Sequence, residues 1–135
     1  MGNIKATVAP RKNIVVTNYT AGASGGGLGL NNGGFTTENI LPNQVLDTFA
    51  VDAVRFAKYA IQGTYNNEVH VLELNLTHDG TDTYISVYGE ILSDPVQPLF
   101  SFDADIDTNT SEVRLLVDPL FAGTVIKFSR IEVLV

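Results

Sequence analysis

Four groups of residues have types and spacings that could do chemistry. Gly22-Ala23-Ser24-Gly25-Gly26 fits the nucleophile-elbow pattern G-x-S-x-G. That pattern exposes a serine on a sharp turn, and it needs a helix directly afterwards to aim backbone donors at an oxyanion. The residues that follow are "GLGLNNGGF", and each glycine costs a helix about 1 kcal/mol. A serine nucleophile is therefore not expected. The same tract misses the dinucleotide fingerprint, because the sixth position counted from Gly25 is Leu30, and it has no Gly-Lys pair for a phosphate loop.

Asp103, Asp105, Asp107 and Asn109 place oxygen ligands at alternate positions with Glu112 three residues on, and so resemble a calcium loop. Thr108 stands where such a loop needs glycine, and Arg114 where it needs a bidentate glutamate. The acids also alternate with Phe102, Ala104 and Ile106, so they read first as the wet face of a strand. Asp103, Asp105, Asp107 and Asn109 remain weak metal candidates, and no metal or other cofactor is expected. His70 and His78 share a strand face but lie eight residues apart, roughly 26 Å, which is too far for one ion. His78-Asp79 reads as a turn rather than part of a triad. Tyr59, Tyr84 and Tyr88 could form a sugar-stacking platform, although tyrosine is an ordinary strand residue as well.

The elements that must carry these groups are strands. "EVHVLELNLTHDG" sets Leu72, Leu74 and Leu76 against Glu73, Asn75 and Thr77. "DTYISVYGEIL" sets Ile85, Val87 and Ile91 against Tyr84, Ser86, Tyr88 and Glu90, and Asp79-Gly80 between the two runs is a hairpin signal. "PLFSFDADID", "VRLLVDP" and "GTVIKFSRIEVLV" continue the pattern, while "LDTFAVDAVRFAKYA" is ambiguous between helix and strand. The expected fold is all-β: an antiparallel β-sandwich or jelly-roll-like domain over 45–135, preceded by an extended glycine-rich arm over 1–44.

Composition bounds the partners. The chain has 135 residues, no cysteine and a net charge of −7, so disulfides and thiolate metal sites are excluded. Residues 1–37 hold Lys5, Arg11 and Lys12 and no acid. The body is strongly acidic, which disfavours nucleic acid as a partner. No apolar run of membrane-spanning length and no signal-peptide pattern is present, so neither membrane attachment nor export is expected. A basic arm with a strand-like stretch at Ile14, Val15 and Val16 suits docking on an acidic protein surface, including that of another copy.

"RFAKYAIQ", "EVHVLELNLTHDGTDTYISVYGEI", "FSFDADI" and "VRLLVDP", in that order, resemble a β-rich domain of virion structural proteins of tailed bacteriophages, notably large contractile-tailed phages of cyanobacteria. The shared signature is Arg55-x-Ala57-Lys58-Tyr59, His78-Asp79-Gly80-Thr81, Tyr88-Gly89-Glu90, Phe102-Asp103-Ala104-Asp105 and Val113-Arg114-Leu115-Leu116-Val117. It covers about residues 46–135; Phe56 departs from the small polar residue of the pattern, and the first third has no counterpart. The resemblance implies an assembly module without chemistry of its own, located in the virion after assembly in the host cytoplasm. The expected function is a capsid decoration or cement protein held by its arm, as a homo-oligomer on the major capsid protein. A tail, neck or baseplate accessory protein is the alternative, and a receptor- or carbohydrate-binding module a further one. An enzyme is not expected.

Overall fold

The computed structural model describes residues 30–135, which form eight antiparallel strands in two sheets. The strands are β1 (Leu30–Thr36), β2 (Gln44–Ala50), β3 (Val54–Tyr65), β4 (Glu68–His78), β5 (Thr83–Leu92), β6 (Phe100–Asp107), β7 (Glu112–Pro119) and β8 (Val125–Leu134). A five-stranded sheet runs β1-β8-β3-β4-β5, and a three-stranded sheet β2-β7-β6 covers it. The expected all-β sandwich is what forms. No helix is present among the described residues. The ambiguous stretch around Leu46–Ala60 resolves into β2, a tight turn closed by Ala53 N–H to the Ala50 carbonyl at 3.2 Å, and β3.

Alternation builds the core. Leu72, Leu74 and Leu76 of β4 and Ala57, Tyr59 and Ile61 of β3 meet Val113, Leu115 and Val117 of β7. Gly63 faces the same interior, and Phe100 lies against it so closely that a Cβ there would sit 2.8 Å from the ring's Cζ. The ring also stacks on His70, with centroids 4.5 Å apart. Glycine is thus present in β3 because an aromatic side chain occupies the space beside it.

Residues 30–44, assigned on sequence to the arm, are hydrogen-bonded into the sandwich. β1 pairs with β8 from Leu30 opposite Ile131 to Thr36 opposite Val125. Thr37 is buried; its N–H donates to the Thr124 carbonyl and its carbonyl accepts from Gly123 N–H, while its hydroxyl donates to the Phe121 carbonyl at 2.9 Å. Asn43 N–H then donates to Asp118 Oδ1 at 2.6 Å. Glycine richness at Gly33-Gly34 suggested a flexible linker, but those glycines serve close strand packing. The rest of the arm, with Lys5, Arg11, Lys12, Ile14, Val15, Val16 and Ser24, lies outside the described residues.

Candidate functional site

The open side of the five-stranded sheet collects polar side chains in registered rows. One row crosses all five strands: Asn32 opposite Ser129, Ser129 opposite Ala60, Ala60 opposite Glu73, and Glu73 opposite Tyr88. The neighbouring row runs Gly34, Lys127, Gln62, Val71 and Ile91. Small residues at the centre of the first row leave a concavity of about 670 Å³, walled by Asn32, Gln62, Glu73, Ile91 and Lys127. Ser129 Oγ donates to Asn32 Oδ1 at 2.7 Å, which keeps the Asn32 amide nitrogen as a donor. At the rim, Lys58 Nζ lies 3.8 Å from Glu73 Oε1 and 5.8 Å from the Tyr88 ring centroid.

A bulge in β5 shapes one wall. Glu73 pairs with Tyr88 but Val71 pairs with Ile91, so Gly89 and Glu90 together oppose Leu72. Gly89 takes φ 62°, a backbone state that glycine adopts without strain. The extra residue reverses the faces beyond it. Ile91, expected on one face with Ile85 and Val87, is instead 66% exposed on the open face with Tyr84 and Tyr88. Glu90, expected on the face of Tyr84, Ser86 and Tyr88, instead reaches the buried His70, with Oε2 2.6 Å from Nε2.

Both histidines are structural fasteners. His70 Nδ1 accepts from Leu99 N–H at 3.0 Å, so its Nε2 carries the proton given to Glu90. His78 Nδ1 accepts from Gly80 N–H at 3.1 Å, and its Nε2 donates to the Val54 carbonyl at 2.8 Å. With every ring nitrogen engaged, neither can serve as a base for a nucleophile.

A second polar group, unread in the sequence, lies buried where the sheets meet. Arg130 of β8 donates from Nη1 to Asp47 Oδ2 of β2 at 2.6 Å and from Nη2 to Glu132. Tyr59 Oη donates to the same Asp47 oxygen at 2.8 Å, and Asn31 Nδ2 to Glu132 Oε2 at 2.8 Å. Burial works against the Arg130 charge, but Asp47 and Glu132 outweigh it and hold the guanidinium more basic than usual. Burial first, and then the Asp47 carboxylate, pushes the Tyr59 hydroxyl far above the ordinary tyrosine range. Tyr59 is therefore no part of a sugar platform.

The remaining sequence candidates are scattered. Asp105 forms a bidentate pair with Arg114 at 2.7 and 2.6 Å, which lowers its pKa. Asp103 Oδ1 accepts from Ala104 N–H and Asp107 Oδ1 from Asn109 N–H, so these oxygens serve local backbone. Among the described residues no group of three or more His, Asp or Glu could hold a metal. Tyr84 and Tyr88 both lie on the open face, but Tyr84 is tied to the β4–β5 hairpin tip.

That tip makes a pH-dependent element. Asp79 accepts from the Asp82 and Thr81 N–H groups and from the Tyr84 hydroxyl, which lower its pKa from 3.8 to about 2. A depressed carboxyl pKa stabilises the fold above its unfolded value, and the contribution is lost as pH falls through the folded one. Amide protection at Thr81 and Asp82, taken relative to the intrinsic exchange rate at each pH, should accordingly fall between pH 3.8 and about 2. The Asp79→Asn variant should lack that step; an unchanged pH profile would assign the effect elsewhere.

No protein-family model matches the chain, and no curated protein matches it. Among solved structures it is similar to the tailspike protein gp49 of Acinetobacter baumannii bacteriophage Fri1, a capsular polysaccharide depolymerase. That likeness has 18% identity and a TM-score of 0.37, over 77% of this chain and 17% of that one. It is also similar to the tailspike protein of Acinetobacter phage vB_ApiP_P1, at 17% identity and a TM-score of 0.40, over 98% of this chain and 24% of that one. The chain thus spans a quarter or less of either protein's length. Likenesses of this degree say nothing about activity or ligand.

Proposed function

We propose that the chain is a non-catalytic structural module of a tailed-phage particle, held in the tail, neck or baseplate. The reading rests on the signature across residues 46–135 and on one feature of the surface. Ile131, Val133, Leu134 and Val135 are 54%, 50%, 44% and 64% exposed at the end of β8. This is beside the point where β1 begins, since Leu30 pairs with Ile131. Contiguous exposed apolar side chains of this kind mark surfaces covered in an assembly. The upstream arm, with Lys5, Arg11, Lys12 and Ile14–Val16, would grip an acidic partner subunit.

The tail is favoured over the head because the rows of the open sheet beside this patch, from Ser129 and Ala60 onward, are polar and recessed. Such a face suits contact with the surroundings better than a seam between capsid subunits. Immunogold labelling of intact particles tests the placement: label on tails supports it, and label on heads would return the chain to capsid decoration.

The assembly surface has its own test. Ile131→Asp combined with Val133→Asp changes exposed positions and should leave the unfolding midpoint almost unchanged, within about 0.5 kcal/mol. Co-sedimentation with particles that lack the protein should be lost. Retained co-sedimentation of the folded variant would remove this surface from the assembly.

A further inference from the structure

We propose that the concavity on the open face of the five-stranded sheet is a binding site for an oligosaccharide that presents vicinal hydroxyls. This goes beyond the structural role above and does not depend on it.

The shape comes from the sequence of the central row. Ala60 and Ser129 are small where their neighbours Lys58, Gln62 and Lys127 are long, so the sheet face is recessed along its middle. The resulting volume of about 670 Å³ falls in the range of small-molecule sites, roughly 300–1,000 Å³.

The chemistry of the walls selects among ligands. Asn32 and Gln62 each offer an amide donor and acceptor, Glu73 offers two acceptor oxygens, and Lys127 donates. Adjacent sugar hydroxyls, each both donor and acceptor, match such forked groups in pairs. Val71 and Ile91 line one side and give the C–H face of a ring an apolar surface. A phosphate or nucleotide fits worse, because the Glu73 carboxylate in the wall offsets Lys127. An extended peptide would add to free backbone at a strand edge, whereas the trough floor lies on β8, β3 and β4, whose backbones are paired on both sides.

The site is also held in place before any ligand arrives. Its residues come from five adjacent hydrogen-bonded strands. Glu73 is braced by Lys58, and Asn32 by Ser129. Preorganisation of this kind limits the side-chain ordering cost of binding.

Titration of the isotope-labelled full chain with maltohexaose, cellohexaose, chitohexaose and a hyaluronan hexasaccharide tests the assignment. At least one probe should shift amide signals at Asn32, Gln62, Glu73, Lys127 and Ser129, saturating at millimolar concentration. Ala60→Leu adds bulk at an exposed position in the trough floor; it should weaken that probe about tenfold or more, equivalent to about 1.4 kcal/mol. Tyr84→Ala, outside the trough, should bind as the parent does. The proposal is overturned if all four probes leave the spectrum unchanged, if the shifts map elsewhere, or if Ala60→Leu binds like the parent. Particle association is read separately, so the failure of either reading is distinguishable from that of the other.

Discussion

Arg130→Ala should cost about 3–5 kcal/mol of folding stability, the range for removing one partner of a buried ion pair. The guanidinium is the cation between Asp47 and Glu132, and its side chain is only 11% exposed. Its loss would leave two carboxylates facing one another with Tyr59 and Asn31 as their remaining donors. Arg130 also lies over the Phe49 ring, 5.7 Å from its centroid, so a cation–π contact is lost too. Domains of this kind have about 5–15 kcal/mol in total, so the variant should be marginal at room temperature. Urea unfolding followed by fluorescence measures it. Tyr59→Phe, which removes one donor and leaves the ring, should cost only about 1 kcal/mol. If Arg130→Ala loses less than Tyr59→Phe, the two carboxylates are solvated and the cluster does not join the sheets.

Gly34→Ala should release β1 from the sheet. Gly34 sits at φ 150°, which side chains rarely adopt. A Cβ there would overlap the Ile126 carbonyl oxygen and come within 2.9 Å of Lys127 Cα. Both obstacles are backbone of β8, so no side-chain rotation relieves them. Backbone strain of this kind costs about 1–3 kcal/mol. An edge strand held on one side can escape it by detaching. Hydrogen exchange should then lose protection in Asn31–Thr36 and along the facing edge of β8, while β3, β4 and β7 keep theirs. Since β1 carries Asn32, saccharide binding should weaken in parallel. Protection of β1 equal to the parent's would show that the strand tolerates the side chain.

The local pattern of this chain was legible wherever period-two alternation ran unbroken. Leu72, Leu74 and Leu76 point inward, and the hairpin forms at Asp79-Gly80, because these features depend on neighbours within a few residues. Alternation failed at Gly89-Glu90. A single inserted residue reverses the faces that follow, and nothing in "VYGEIL" apart from the glycine announces it. The tract at 20–35 misled in its second half for a related reason. Glycine signals freedom and close approach with the same letter, and which applies to Gly33-Gly34 depends on Phe128 and Ile126, some ninety positions away.

The one-dimensional chain therefore determined the class of fold, the strands from β4 to β8 and the acidic character of the body, all of which follow from residue type and short-range spacing. Only the three-dimensional pairing decided which polar groups meet. Asp47 and Arg130 are 83 positions apart, and Asn31 and Glu132 are 101 apart. The row from Asn32 to Tyr88 draws one residue from each of five strands. Strand order and register set those encounters, and they are fixed by the burial of two whole sheet faces against each other rather than by any local run of residues.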